Sequence, residues 1–425
     1  MSDPHVLVRM ATMAISACDA EEAAARGVAA MVGAGEPWIL SVGKDAIAMA
    51  TGAQTALAAR RKGRRRRGLA VAKTWPTTFA PPSTAVLVGE HPLPGARSAS
   101  AAAAVRRWVQ RVPERDQLIV LLSGGTSSLI GAPAHPMMTQ DDLERTAAYL
   151  LEHGLPIRDV NAIRRVTHRL GGGRGLEGYR GRPPCVFVLS DVLGVNHGDN
   201  DAIGVVGSGP FVPLGPAEVE RARALVGAHR RHLPASVVSW VEGIPRPNAP
   251  PTTVPHQVLL SHDSLIAAAA KAAQGMGLTP RVWPSGDETV EATARALAAE
   301  GRSLRPGEVL VSGGEPTVDL PAHAGLGGRC QHLAALMSQL IAGTDLAFLA
   351  LASDGDDGST PGIAGGLVDG TSWKRLPASL GPPQRYLARF QSHDLLAAMG
   401  ALVPRPRSTT NLLDLHVLYR PDPQS

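Results

Sequence analysis

Short apolar runs and longer alanine-rich segments alternate along the chain. The apolar runs consist largely of Val, Ile and Leu and are bounded by Gly and Ser, which is typical of buried strands, whereas the alanine-rich segments have the composition of helices. This alternation predicts an α/β fold with mainly parallel sheets. A first series of predicted strands covers residues 38–42, 69–72, 85–88, 118–122 and 186–189, and a second series covers residues 258–260, 309–311, 346–351 and 416–418.

A proline-rich segment separates the two series. Residues 242–255, EGIPRPNAPPTTVP, contain five prolines and indicate a linker. Because 425 residues exceed what one hydrophobic core usually supports, two domains are expected. We predict an N-terminal domain at 1–245 with a doubly wound, mainly parallel sheet. A smaller C-terminal α/β domain with a mixed sheet is predicted at 246–425, and the active-site cleft is predicted to lie between the two.

Four of the predicted strands end in Ser followed by Gly or Asp. The four sequences are LLSGG, VLSDV, LVSGG and LASDG, whose serines are Ser123, Ser190, Ser312 and Ser353. Ligands of parallel α/β sheets bind beyond the carboxyl ends of the strands, so these sequences predict a polar wall on each side of the cleft. The alternative for each one is that Ser or Asp caps the following helix. For the four together, we favour a binding site.

The first of these turns, Ser123-Gly124-Gly125-Thr126-Ser127-Ser128, has the composition of an anion site. Glycines let the backbone approach a ligand, hydroxyl groups donate hydrogen bonds, and the N–H groups that open a helix attract negative charge.

The chain has no GxGxxG after its first strand, which argues against a dinucleotide-dependent oxidoreductase, and no GxxxxGK[ST], which excludes a standard P-loop.

Candidate charged groups accompany this turn. Lys44 follows a predicted strand and Gly43, at a helix start where a cation is unfavourable unless an anion lies beside it. Arg329 follows a glycine-rich loop and can bind carboxylate or phosphate through two hydrogen bonds, although a structural role is equally open. The aspartates of residues 353–370 miss the spacing of a calcium loop and suit Mg²⁺ or a substrate hydroxyl; they are Asp354, Asp356, Asp357 and Asp369.

Together these groups favour phosphoryl transfer, in which cations neutralise the transferred group and a carboxylate holds a divalent ion or orients the nucleophile. A Ser-His-Asp hydrolase is disfavoured, because GxSxG is missing and no histidine stands in an evident partner position.

Composition changes this picture in one place. The formal net charge is +5, and residues 60–67, RRKGRRRR, alone carry seven positive charges. This run is interpreted as a solvated helix end, with nucleic-acid binding as the alternative, although no aromatic residues interleave it.

The three cysteines are isolated in sequence, so we expect neither a disulfide framework nor a zinc cluster. We expect a cytoplasmic location for the same reason. No apolar stretch reaches the roughly 20 residues of a membrane span.

Nine stretches of the chain resemble, in order, the class II glycerate kinases, which join an N-terminal glycerate kinase domain to a C-terminal MOFRL domain. The stretches are VGKDAIAMA (42–50), GEHPLPGARS (89–98), LLSGGTSSLI (121–130), VLSDVLG (188–194), GSGP (207–210), VSGGEPTV (311–318), GLGGRCQHLAAL (325–336), SDGDDGSTPGIAGGLVDG (353–370) and TTNLLDL (409–415). The resemblance implies an ATP-dependent, Mg²⁺-requiring kinase that phosphorylates a hydroxyl of D-glycerate, usually giving 2-phosphoglycerate.

The resemblance also implies site residues. Lys44 and Arg329 match the family residues most closely tied to catalysis, and we add Asp191 to them. Mg²⁺ is assigned to Asp191 and Asp354. The predicted nucleotide-binding residues are Ser123, Gly124, Gly125, Thr126, Ser127, Ser190, Gly313, Gly314, Glu315 and Asp354. The expected partners are ATP and a small acceptor, without membrane or nucleic acid, and a homodimer is left open.

Several positions depart from the family pattern. Cys330 and His332 replace an amide and a carboxylate beside Arg329, and Val166 replaces a histidine. The loop after Asp191 is longer than usual, and residues 407–411 differ from a customary PTGTN. These departures leave the acceptor open between D-glycerate and a different small hydroxy acid or polyol. A protein without catalytic activity, which binds nucleic acid through residues 60–67, is the alternative from another class.

Overall fold

A computed structural model of the chain describes residues 5–31, 35–60, 67–76, 80–194, 204, 206–245, 254–406 and 410–423. They form two compact units, which we call the N-terminal unit, Ala20–Leu259, and the C-terminal unit, Met1–Asp19 with Leu260–Ser425. The first helix therefore belongs to the C-terminal unit, which differs from the predicted division at residue 245. The central part of the predicted linker, 246–253, lies outside the described residues, as do 61–66 of the basic run and 195–203 of the loop after Asp191.

The N-terminal unit is built around a six-stranded sheet with the order β3-β2-β1-β4-β5-β6. Its strands are β1 Pro37–Val42, β2 Arg67–Ala72, β3 Thr84–Val88, β4 Gln117–Leu122, β5 Arg182–Leu189 and β6 His256–Leu260. Its helices are α2 Ala20–Ala30, α3 Ala46–Arg60, α4 Ala96–Gln110, α5 Thr126–Leu129, α6 Gln140–Glu152, α7 Ile157–Thr167, α8 Pro216–Ala228 and α9 Ala235–Gly243.

Strands β1 to β5 are parallel, and their carboxyl ends are level. Val42 pairs with Val71 and Leu122, and Leu122 pairs with Val188. The central strands β1 and β4 are apolar and buried along almost their whole length, as expected for a parallel sheet covered on both faces. The residues that follow β1, β2, β3 and β4 therefore emerge at one edge of the sheet.

The sequence prediction for β6 was wrong in one respect. We expected residues 258–260 to open the second domain, but β6 is the edge strand beside β5 in the first sheet, and Val258 packs into the core of that sheet. A proline-rich sequence indicates a break between elements, but it does not determine which sheet the next strand joins.

The C-terminal unit contains a mixed sheet with the order β11-β10-β9-β12-β8-β7. Its strands are β7 Thr279–Val282, β8 Glu308–Gly314, β9 Ala347–Ala352, β10 Ile363–Asp369, β11 Leu402–Pro404 and β12 Asp414–Tyr419. Its helices are α1 His5–Ala17, α10 His262–Gly275, α11 Val290–Gly301, α12 Arg329–Leu340, α13 Gln384–Ala388 and α14 Ser392–Met399. The predicted α/β class, with a parallel first sheet and a mixed second sheet, is confirmed.

Strand β12 lies between β8 and β9 and is antiparallel to both. Strands β8 and β9 are therefore parallel to each other, and their carboxyl ends lie at the edge where β12 begins. Asp414, the first residue of β12, pairs with Gly314 on one side and Ala352 on the other.

Helix α1 packs against α10 and reaches β9 and β12. Its buried side chains, Leu7, Met10, Ala11, Ala14 and Ile15, recur at helical spacing and form one apolar face. Within the described part of the chain, none of the helices is long and apolar enough to cross a membrane.

Candidate active site

Three turns meet at the carboxyl edge of the N-terminal sheet, after β1, β4 and β5. The Lys44 N–H donates to the Gly124 carbonyl at 2.8 Å, and the Asp45 N–H donates to Ser123 Oγ at 3.0 Å. Asp191 lies against Gly124, where a Cβ atom would stand 1.9 Å from Asp191 Oδ2. The structure thus brings Lys44, the turn beginning at Ser123 and Asp191 together, as the sequence predicted.

Two glycines at this edge have backbone conformations that other residues rarely adopt. Gly43 has a φ of 135° and Gly125 a φ of 81°. Gly43 is also crowded, because a Cβ there would lie 2.1 Å from Ser123 Oγ. Each glycine is therefore required by the local backbone, whether or not a ligand is bound.

The hydroxyl groups of the Ser123 turn are engaged within the protein. Thr126 Oγ1 lies within hydrogen-bonding distance of the Val42 and Ser123 carbonyls, at 2.9 and 2.8 Å, and Ser127 Oγ lies 2.6 Å from Ser208 Oγ. Ser208 in turn donates to Asn161 on α7 at 3.2 Å. These hydroxyls brace the turn, which differs from their expected role as ligand donors.

The main-chain N–H groups of Gly125, Thr126 and Ser127 have no acceptor among the described residues. Successive N–H groups of this kind form an anion-binding concavity.

Ser190 has a local role, since its Oγ accepts a hydrogen bond from the Val192 N–H at 3.2 Å and shapes the turn that carries Asp191.

Lys44 and His91 adjoin this turn, and the charges of Lys73 and Arg164 act on His91. We call these four basic side chains the basic cluster. A Cβ on Gly125 would lie 3.0 Å from His91 Cδ2 and 3.3 Å from Lys44 Cγ. Burial, and then the charges of Lys44, Lys73 and Arg164, lower the pKa of His91 to about 4. Within the described ranges, no carboxylate forms an ion pair with Lys44, Lys73 or Arg164. The cluster therefore has a positive charge without an internal counterion.

Sequence reasoning missed His91, Lys73 and Arg164, as well as Asn161 and Ser208. His91 and Ser208 fall inside the GEHPLPGARS and GSGP stretches, which carried the family resemblance but no assigned role. Arg164 lies on α7, and no local spacing in the sequence indicates that its charge acts on His91.

The C-terminal unit holds Arg329 between two carboxylates. Arg329 Nε donates to Asp414 Oδ2 at 2.6 Å, Nη2 donates to Oδ1 at 3.2 Å, and Nη1 donates to Glu315 Oε1 at 2.8 Å. Burial of the guanidinium acts to lower the pKa of Arg329, but Asp414 and Glu315 outweigh this effect and raise it. Arg329 is therefore anchored through Asp414, a residue that the sequence did not single out.

The second SGG turn is glycine-rich because its backbone is crowded. A Cβ on Gly313 would lie 2.2 Å from the Asp414 carbonyl oxygen, and a Cβ on Gly314, where φ is 131°, would lie 2.0 Å from the Gly286 carbonyl oxygen. These contacts explain Gly313 and Gly314 without a nucleotide.

Asp357 caps helix α12 from a distant part of the chain. Its carboxylate accepts hydrogen bonds from the Cys330 N–H at 3.0 Å, the Gln331 N–H at 2.8 Å and Gln331 Nε2 at 2.9 Å. Burial, followed by the charge of Asp414, raises the pKa of Asp357 to about 6 in spite of these donors. This carboxylate occupies the amino end of the helix that begins with Arg329.

The variant Asp357→Ala is expected to lower the free energy of unfolding by about 2 kcal/mol, because it leaves buried N–H groups without acceptors. Urea unfolding would measure this loss. Asp319→Ala, at an exposed carboxylate of the same unit, is the control. Equal stability of the two variants would contradict the capping role.

The two residues predicted to bind a metal lie in different units. Asp191 borders Gly124 in the N-terminal unit, whereas Asp354 follows β9 in the C-terminal unit and accepts a hydrogen bond from the Asp356 N–H at 3.2 Å. A search of the described residues finds no group of three His, Cys, Asp or Glu side chains that could hold a metal ion.

Two cavities open in the C-terminal unit. One, of about 410 Å³, is lined by Arg329, Asp357 and Phe390 among others, and the second, of about 310 Å³, is lined by residues that include Trp283 and Glu288. The first places Arg329 at the wall of a cavity that is open to solvent.

The fold is that of an α/β protein, and a glycine-rich turn with main-chain donors that have no acceptor in the described residues lies beside Lys44 at the carboxyl edge of its parallel sheet. A model of the domain of unknown function DUF4147 matches residues 6–242, and a model of the MOFRL family matches residues 308–414. The chain belongs to the class II glycerate kinase family, whose members are small-molecule kinases that combine these two domains, as the nine motifs predicted.

Named relatives differ in their described activities. A glycerate 2-kinase from Pyrococcus horikoshii is 28% identical over 77% of this chain and 76% of its own. A protein from Agrobacterium vitis, described as a putative hydroxypyruvate reductase, is 30% identical over 78% of this chain and 87% of its own. The crystal structure of a Thermotoga maritima glycerate kinase has the same fold, with a TM-score of 0.84, 24% identity and coverage of 98% and 99% of the two chains.

Proposed function

We propose that the protein transfers the γ-phosphoryl group of ATP to a hydroxyl of D-glycerate and yields 2-phosphoglycerate. The observation that carries this proposal is the Ser123 turn, where unpaired N–H groups and Lys44 adjoin one another. Phosphoryl transfer relies on positioning and on stabilisation of charge on the transferred group, and this edge of the sheet supplies donors and cations for both. The names of the kinase relatives support the choice of acceptor.

The carboxylates of the site fit an ion that arrives with the nucleotide. Mg²⁺ is usually bound through one or two carboxylates together with substrate phosphates, not by a complete cage of protein ligands. Asp191, beside the turn, would supply such a carboxylate in the N-terminal unit, and Asp354, after β9, is a separate candidate in the C-terminal unit. The described residues contain no group of three His, Cys, Asp or Glu side chains that could hold a metal ion. When bound, Mg²⁺ would neutralise phosphate charge.

Arg329 retains donors for a substrate. A guanidinium has five N–H donors, of which three are directed at Asp414 and Glu315. The other two can bind a phosphoryl or carboxylate oxygen, and Asp414 would keep the guanidinium plane fixed for that contact. We propose the cytoplasm as the location, since Cys18, Cys185 and Cys330 form no disulfide bond in the described part of the chain.

The proposal is tested by measuring ADP release from ATP and Mg²⁺ with D-glycerate, and by assigning the product with phosphorus NMR. We expect release that depends on D-glycerate and a phosphate ester at its C2 oxygen. Parallel reactions with other hydroxy acids and polyols test the alternative acceptors. Release that no acceptor accelerates, together with oxidation of NADH or NADPH by hydroxypyruvate, would instead favour the activity named for the Agrobacterium relative.

A further inference from the structure

His91 lies where four neighbouring strands each deliver one group to the same edge. In the sheet order β3-β2-β1-β4, His91 follows β3, Lys73 follows β2, Lys44 follows β1 and Gly125 follows β4. The Gly125 backbone adjoins both the imidazole and the Lys44 side chain. The topology of the sheet therefore fixes His91 beside the main-chain donors of the proposed phosphate site.

The imidazole of His91 has no hydrogen-bond partner in the described part of the chain, and its side chain is partly exposed. Two buried histidines of the C-terminal unit differ: His262 is bonded to the Leu412 carbonyl and Ser285, and His332 is bonded to Ser392. The hydrogen bonds of those two rings explain why each histidine is buried. His91 has a ring nitrogen available for a molecule that enters from solvent.

Burial, and then the positive charges around it, lower the pKa of His91 and keep the ring neutral near pH 7. Lys44, Lys73 and Arg164 face it from the turns after β1 and β2 and from α7, whereas the neighbouring Glu90 is bonded to Ser98 and Arg97. A neutral imidazole carries one unprotonated nitrogen, which accepts a hydrogen bond or a proton. Within the basic cluster, His91 can thus accept a hydrogen bond or a proton, whereas Lys44, Lys73 and Arg164 only donate hydrogen bonds.

We propose that His91 is a catalytic residue that binds the acceptor hydroxyl and removes its proton during phosphoryl transfer. This role rests on the proposed function. As the hydroxyl oxygen forms its bond to the γ-phosphorus of ATP, the bond from that phosphorus to the β–γ bridging oxygen breaks and ADP leaves. The hydroxyl proton moves to the unprotonated ring nitrogen of His91, and the imidazolium later releases it to solvent.

Ligand binding adjusts the strength of this base. Three cations disfavour the protonated ring in the free protein, and an anionic substrate placed among them offsets their charge. This offset acts to raise the pKa of His91, against the lowering that burial causes. A base whose pKa approaches the working pH is more effective, so His91 becomes a better proton acceptor only when the site is loaded.

The first test is His91→Gln, which retains hydrogen-bonding groups but cannot take up the proton. General-base catalysis contributes about 10²- to 10⁴-fold, so kcat should fall at least about 100-fold, with KM for ATP changed by less than about threefold. The matched control is His153→Gln, at the end of α6, where the ring contacts Tyr149. A kcat of His91→Gln within about threefold of wild type would overturn the proposal.

The second test follows the pH profile, which a purely structural role would not move. The base acts while neutral, so kcat/KM is lost as pH falls through the His91 pKa. Lys73→Gln removes one cation, raises that pKa and should move the acidic limb to higher pH, with a matching shift of the His91 resonance in an NMR titration without substrate. The proposed role would be overturned if the acidic limb of the pH profile did not move in Lys73→Gln, or if the same limb were still present in His91→Gln.

The outcomes separate the two proposals. A wild-type protein that releases no ADP with any acceptor contradicts the proposed function and, with it, the role of His91. An active wild type with an equally active His91→Gln variant contradicts only the assignment of the base.

Discussion

Lys44→Ala is expected to lower kcat by about 10²- to 10³-fold, the loss that follows removal of one preorganised group acting on transition-state charge. The Lys44 side chain has no ion pair in the described residues, and its structural contact is the main-chain hydrogen bond to Gly124, which alanine preserves. The fold should therefore remain intact. ADP release and thermal unfolding of the same preparation would measure the two effects.

Lys271→Ala provides the matched control, because Lys271 is an exposed lysine on α10. It removes an equal charge and side-chain length, and its kcat should equal that of wild type. A Lys44→Ala enzyme that keeps kcat within threefold of wild type would show that the ammonium does not act on the transferred group.

Replacement of Arg329 should have a large effect on stability as well as on activity. Arg329→Met leaves the Asp414 carboxylate, whose side chain is 1% exposed, without its cation. Leaving one member of a buried pair unpaired costs about 3 kcal/mol or more. Asp414→Asn should cost less, because the Arg329 side chain is 32% exposed and keeps its contact with Glu315. Urea unfolding of both variants would test this order, and the reverse order would contradict the anchoring role of Asp414.

Activity is better tested with Arg329→Lys, which keeps a positive charge. An ammonium cannot reproduce the two parallel bonds to Asp414 while presenting further donors to a substrate, so kcat should fall by about 100-fold. Arg281→Lys, at a partly exposed pair with Glu300, is the control and should keep full activity. Unchanged kcat in Arg329→Lys would mean that Arg329 only supports the fold.

The central strands were predictable because they are buried on both faces and appear as uninterrupted apolar runs. The missed strands β7, β10 and β11 lie outside that pattern. TPRV and LVP are short and contain proline, and IAGGLVD contains two adjacent glycines where the sheet is covered closely. In these strands, hydrogen bonding to a neighbouring strand stabilises an extended conformation that the local sequence does not favour.

Some residues of the candidate site could likewise be predicted from the sequence, and others could not. Lys44, Gly124 and Asp191 follow strands directly, and parallel pairing with level ends is sufficient to bring them together. His91 also follows a strand, but it adjoins Gly125 although β3 and β4 are not neighbours in the sheet, and the charge of Arg164 acts from α7. The hydroxyls of the Ser123 turn illustrate the limit, since their residue types suggested ligand donors whereas packing directs them to Val42, Asn161 and Ser208.

The membership of helix α1 in the C-terminal unit affects biosynthesis. Helix α1 is translated before its packing partner α10, which begins only at His262. At synthesis rates of about 5 to 20 residues per second, the two helices are made on the order of ten seconds or more apart. During this interval the surface of α10 against which α1 packs does not yet exist, so we expect the apolar face of α1 to be a point at which a chaperone engages the nascent chain.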